Sequence, residues 1–229
     1  MTDETPSPPE PAAPKWSPLP SMQRRIVGVL IEKSKTTPGG YPMTLNALTT
    51  GCNQKSNRSP QMNLDSEEVE MALEELREKG ATTEVQGDGR VNKYRHLMYD
   101  WLNVEKKELS VMAELLLRGE QTLGELRTRT SRMDAIASLD ELKTLLESLR
   151  QKELVVYLTP EGRGQIVAHT LYTEREMDAL KQRRQSGAAV EAAPPTPAPP
   201  AISVEQFEQL KKEVQELRQE VAELRKILE

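Results

Sequence analysis

The sequence predicts a mainly helical α+β protein, built from a duplicated unit of three helices and a β-hairpin and ending in a coiled-coil helix. Three observations predict it. First, the middle of the chain repeats itself. Leu76-Arg77-Glu78-Lys79 returns 73 positions on as Leu149-Arg150-Gln151-Lys152, and Gly89-Arg90 and His96 return at the same offset as Gly162-Arg163 and His169. Thr44-Leu45-Asn46-Ala47-Leu48 returns at offset 78 as Thr122-Leu123-Gly124-Glu125-Leu126, so the first copy carries five extra residues between its second and third helices. Repeats of this kind read as stacked supersecondary units. Second, each copy closes with two short strand patterns around a glycine-containing turn. Third, the last 27 residues, Ser203 to Glu229, follow a strict heptad.

In the first copy, Met22, Ile26, Val29, Leu30 and Lys33 have helical spacing with a mostly apolar face. Thr44 can cap a second helix that runs to about Cys52. Asp65 can cap a third, carrying Val69, Leu73 and Leu76 and stopping at Gly80. Thr82 to Val85, a turn at Gly87-Asp88-Gly89, and Val91 to Leu97 make the hairpin. In the second copy a helix from Leu109 to Arg118 stops at Gly119. Thr122 with Glu125, and Ser138 with Glu141, read as capping boxes for the next two helices. Leu154 to Leu158 then leads through Pro160-Glu161-Gly162-Arg163-Gly164 into Gln165 to Leu171.

Three helices followed by a hairpin is the winged helix-turn-helix layout, here in tandem. The boundaries are a Pro-rich tail at 1–15, a first winged-helix domain at 16–103, a second with a trailing helix at 104–185, an Ala/Pro-rich linker at 186–202 and a coiled coil at 203–229. Only 36% of the 229 residues are hydrophobic and 3% aromatic, with mean hydropathy −0.64, so part of the chain must be linker or extended helix rather than core. The single cysteine, Cys52, excludes an internal disulfide framework, and with two histidines it leaves little for a Cys/His zinc site. No cofactor or metal is expected. The start has no basic and apolar leader pattern, and Ile26 to Ile31 is too short to span a bilayer. The expectation is a cytoplasmic protein with no membrane partner.

Tyr41-Pro42-Met43-Thr44-Leu45-Asn46-Ala47-Leu48, Cys52-Asn53-Gln54-Lys55-Ser56-Asn57-Arg58, Val91-Asn92-Lys93-Tyr94-Arg95-His96, Leu117-Arg118-Gly119, Gln121-Thr122 and Gly124 to Thr130 together resemble the YceH-like family of bacterial proteins. The resemblance covers about residues 19–172. It implies tandem winged helices without an established activity. Glu120 stands where that family more often has proline.

Winged-helix DNA readers place the third helix in the major groove and the wing on the backbone. Here the third helix of the first copy carries Asp65, Glu67, Glu68, Glu70, Glu74, Glu75 and Glu78, which phosphates would repel. From Trp16 to Asp178 there are 22 Lys+Arg against 25 Asp+Glu. Candidate contact residues for DNA or a partner therefore lie elsewhere: Asn53, Gln54, Lys55, Asn57 and Arg58 after the second helix, Arg90 and Arg163 on the wings, and Arg127, Arg129 and Arg132 on the second helix of copy two and its exit. The competing reading is that Asn53 to Asn57 make side-chain turns and that the arginines pair with nearby glutamates. His96 and His169 occupy equivalent positions and read as structural. Cys52 has no base near it in sequence, and no catalytic set emerges.

In the last segment, Phe207, Val214, Val221 and Leu228 fall at heptad position a, and Leu210, Leu217 and Leu224 at d. β-Branched residues at a with leucine at d favour a parallel two-stranded coil. Glu213 and Glu220 at g would face Arg218 and Arg225 at e of the partner. A homodimer is expected, with a heteromeric coil as the alternative. The function expected from these residues is a DNA-associated regulator acting as a dimer, on the Asn53 to Arg58 cluster; the alternative is a protein-interaction scaffold similar to segregation-and-condensation protein B, without direct DNA binding.

Overall fold

In the computed structural model, which describes residues 16–86 and 91–185, helices α1 (Ser21–Thr36) and α5 (Lys106–Arg118) are the centre of the protein. Each buries an unbroken run of ten residues, 23–32 and 108–117. A single apolar face on α1 was the sequence expectation. The helix is buried all round because α5 covers one side while α2 (Leu45–Cys52) and α3 (Ser66–Glu78) cover others. Gly28 makes the α1–α5 approach possible: a Cβ there would lie 3.0 Å from Cγ and Cδ2 of Leu117. One core, including Leu30, Leu48, Leu73, Leu76, Met112, Leu146 and Leu149, runs through both repeats. The compact unit holding both extends to Gln182.

The chain is a mixed α+β structure with eight helices among the described residues and two small antiparallel sheets. Strands β1 (Met43–Thr44), β2 (Thr82–Gln86) and β3 (Asn92–His96) form the first, in the order β1-β3-β2. Strands β4 (Gln121–Thr122), β5 (Val155–Tyr157) and β6 (Ile166–His169) form the second, in the order β4-β6-β5. Their registers repeat as the sequence does. Thr82 pairs with His96, and Val155 with His169, both 73 positions on. The loop from α2 to α3 has thirteen residues, and that from α6 (Leu123–Thr130) to α7 (Leu139–Gln151) has eight, which accounts for the five-residue offset.

Helix starts follow the capping residues. Thr44 accepts from the Ala47 N–H, and Asp65 with Glu68 and Thr122 with Glu125 make complete boxes. Ser138 makes only half of one. Its Oγ accepts from the Glu141 N–H, but the Glu141 carboxylate turns to the Ala137 N–H and to Lys107 instead. Sequence reasoning missed β1, β4 and α4 (Met98–Leu102), whose Trp101 Nε1–H donates to the Lys79 carbonyl at 2.9 Å. The trailing helix is α8 (Glu174–Gln185). The Pro-rich tail, the turn 87–90 with Arg90, the linker and the heptad segment from Phe207 to Leu228 lie outside the described residues.

Candidate functional site

The structure gathers half of the candidate contact residues, Gln54, Asn57, Arg58, Arg129 and Arg132, around one charge cluster where the repeats meet. Glu32 on α1 and Glu114 on α5 each sit four residues before the last residue of their helix. Both are buried, Glu32 to 2% and Glu114 to 0% exposure, each near the C-terminal end of its helix's buried run. Arg58, from the loop after α2, is 6% exposed; it grips both Glu32 oxygens and donates from Nε to the Gly51 carbonyl at 3.0 Å. Arg132, from the loop after α6, reaches Glu32 with one nitrogen and Glu114 with the other, at 3.0 Å from Glu114. A residue of the second repeat thus closes the acid of the first. Arg118 Nε lies 3.0 Å from Glu114 Oε1 as an ion pair that makes no aligned hydrogen bond.

Burial raises the cost of charge on both acids, and the outcome differs. At Glu32, the hydrogen bonds and charges of Arg58 and Arg132 outweigh desolvation and hold the carboxyl below the usual range. At Glu114, desolvation wins over Arg132, Arg118 and Arg129, and the carboxyl is pushed up. Each Glu32 oxygen is taken by a guanidinium, so this carboxylate serves as a fastening between α1 and the loops that follow α2 and α6.

Arg58 was expected at the surface. Instead it is an interior counter-ion, because Glu32 lies within reach only once α1 is folded against the loop. Gln54 accepts from Arg58 at 2.8 Å. Asn57, at φ 60°, accepts from Arg118. Asn53 exchanges two hydrogen bonds with Leu64, of 2.7 and 2.8 Å, which is the turn-forming role weighed against contact. Arg129 pairs with Glu125 at 3.2 Å and Gln121 at 2.7 Å. Arg127 is half-buried, 3.5 Å from the Ala137 carbonyl. Lys55 and Arg163 are exposed, on the α2–α3 loop and the second hairpin turn. Sequence reasoning missed Glu32 and Glu114; the one signal was an acid at the same place near the end of both first helices.

Outside this cluster, α3 presents Glu67, Glu70, Glu74, Glu75 and Glu78 to solvent, with Met71 54% exposed among them. The corresponding helix α7 is more balanced: Arg150 pairs with Glu147 at 2.8 Å and Lys143 with Glu161 at 3.7 Å. No group of three or more His, Cys, Asp or Glu side chains among the described residues could hold a metal ion. No helix among them is long and apolar enough to cross a membrane.

His96 lies 3.3 Å from Ser34 Oγ, the spacing of a nucleophile and its base. The hydrogen bonds around it assign the opposite polarity. Nδ1 accepts from the Met98 N–H at 3.3 Å, so the ring proton sits on Nε2 and points at Ser34, whose own hydroxyl donates to the Ile31 carbonyl at 2.7 Å. The pair is a strut. Burial, with Lys35 and Arg95 nearby, pulls His96 down to about 4; burial pulls His169, stacked on Tyr172 at 3.9 Å, down to about 3. Cys52 is buried and its thiol is pushed up to about 12, away from a thiolate.

Both imidazoles stay neutral in the folded protein and ionise readily once unfolded. Their folded values lie below the ordinary 6.5, so their contribution to stability is complete above about pH 6.5 and is lost as pH falls toward 4 and then 3. Unfolding free energy is expected to decline from about pH 6.5 downward, and His96→Gln to reduce the slope of that first decline by about half, leaving the share of His169. Urea titrations across this range check it; a wild-type profile that stays flat down to about pH 5 contradicts it.

The profile of a family described as "Protein of unknown function, DUF480" matches residues 19–164. A UPF0502 protein of Rhodopirellula baltica is 53% identical over 193 residues, covering 82% of this chain and 81% of the relative. Others from Geobacter sulfurreducens and Pelobacter propionicus are 44% and 41% identical, covering 70% and 92% of this chain and 75% and 95% of the relatives.

Proposed function

The chain belongs to the DUF480 family of bacterial proteins of unknown function, and from that premise we propose a YceH-like, non-enzymatic, cytoplasmic tandem winged-helix protein that docks a protein partner and dimerises through its C-terminal heptads. The winged-helix assignment is supported by two successive sets of three helices, each followed by a hairpin whose returning strand also pairs with a short strand ahead of the second helix. One observation carries the choice of a protein over DNA. The helix that would enter a major groove, α3, turns five glutamates outward around Met71, and a phosphate backbone is repelled by such a face. Arg58, Arg129 and Arg132 are meanwhile committed to Glu32, Glu114 and Glu125. In this reading the protein is similar to segregation-and-condensation protein B. The second reading, a DNA-associated regulator, rests on the exposure of Lys55 and Arg163.

Fluorescence anisotropy of a labelled random-sequence duplex against the full-length protein separates the two. No binding is expected even at about 50 mM salt. Micromolar binding that weakens steeply toward about 200 mM and is lost in Lys55→Ala would establish the DNA reading instead. Dimerisation is tested by mass in solution: ending the chain after Gln185 is expected to turn a dimer into a monomer.

A further inference from the structure

The helix that leads out of the second repeat is held by very little. Among the described side chains of α8, only Leu180 is buried, with Glu176 and Met177 half-buried. Twelve residues make a marginal helix in water unless tertiary contacts support them. The support is a clamp reaching from the other repeat. Arg24 on α1 makes two hydrogen bonds of 2.7 Å to the two Glu176 oxygens and donates to the Leu19 carbonyl at 2.5 Å. Its guanidinium lies over Tyr172, 4.6 Å from the ring centre, and Tyr172 stacks in turn on His169. Glu176 also accepts from the Thr173 N–H at 3.0 Å and the Thr173 hydroxyl at 2.8 Å, closing the first turn of α8. The same carboxylate therefore starts the helix and fastens it to α1. A bidentate, charge-assisted pair with one partner buried is worth more than a surface ion pair.

We propose that α8 is a releasable strap, docked by the Arg24–Glu176 clamp and Leu180 and able to open while the two repeats stay folded. Opening removes both helix start and anchor at once, since one carboxylate serves both. The twelve residues of α8, about 18 Å long as a helix, can then extend to about 40 Å.

Hydrogen exchange followed by mass spectrometry on the full-length protein tests this. In the wild type, the amides of 174–182 are expected to exchange through local opening, faster than those of α5 by more than about tenfold. Glu176→Gln keeps the shape and removes the charge; it should speed exchange of 174–182 by about tenfold or more and leave α1 and α5 unchanged. Leu180→Ala should act in the same direction through the other anchor. The proposal is overturned if 174–182 exchange only together with α5, or if neither substitution changes them.

Discussion

Replacing Glu32 with alanine is expected to cost about 3–5 kcal/mol, among the largest effects available to a single substitution in this protein. Arg58 has a fully buried side chain, and Glu32 is the carboxylate it is bonded to, so the substitution leaves its charge unpaired. Arg132 would keep Glu114 and lose its tie to the first repeat. For a unit of this size each kcal/mol moves the unfolding midpoint by roughly 2–4 °C, so thermal unfolding should begin about 10 °C lower. The two acids are not equivalent. Glu114 already sits with its carboxyl pushed up by burial, whereas Glu32 is held down by its arginines, so Glu32→Gln should cost clearly more than Glu114→Gln. Denaturant titration of the three variants decides it. A Glu32→Ala variant within about 1 kcal/mol of the wild type would mean that water or a rearranged side chain replaces the carboxylate.

Gly28→Leu is expected to cost about 3 kcal/mol or more, because the space where its side chain would go is occupied by α5. A Cβ at Gly28 already meets Leu117 at 3.0 Å and Leu116 at 3.4 Å, and the three further carbons of a leucine can only force the two helices apart. Alanine at the same position is a finer test. Its helix propensity gains up to about 1 kcal/mol over glycine, which offsets the crowding and brings the net change near zero. Gly39, where a Cβ meets nothing within 4 Å, is the control: Gly39→Ala should change stability by less than about 0.5 kcal/mol. A Gly28→Leu variant as stable as the wild type would show that the α1–α5 seam yields, and would remove the steric basis for a single core shared by both repeats.

How far the sequence could be read depends on the range of the interaction responsible. Thr44, Asp65 and Thr122 announce helix starts because a capping side chain bonds a backbone group three residues away. Ser138 announced one too, but the partner it implied, Glu141, was drawn off by Lys107 from α5. The strands β1 and β4 have two residues each, too few for any alternation to register. They exist only because β3 and β6 return alongside them. The heptad spacing from Phe207 to Leu228 is a periodic property of the sequence, and the coiled coil expected from it lies outside the described residues.

By itself, then, the sequence determined the duplicated order of elements, the helix caps and the acidic character of α3, all of which are local or periodic properties of the chain. The tertiary structure decided what the arginines do. Whether a guanidinium meets solvent or a carboxylate depends on which helix folds over it, and Arg58 and Glu32 are 26 positions apart, Arg132 and Glu32 a hundred. The packing of α1 against α5 brings Glu32 and Glu114 together, and the loops after α2 and α6 close over them with Arg58 and Arg132. Burial then makes each lone charge too costly to leave unpaired, so residues that read as a contact surface become the bond between the repeats.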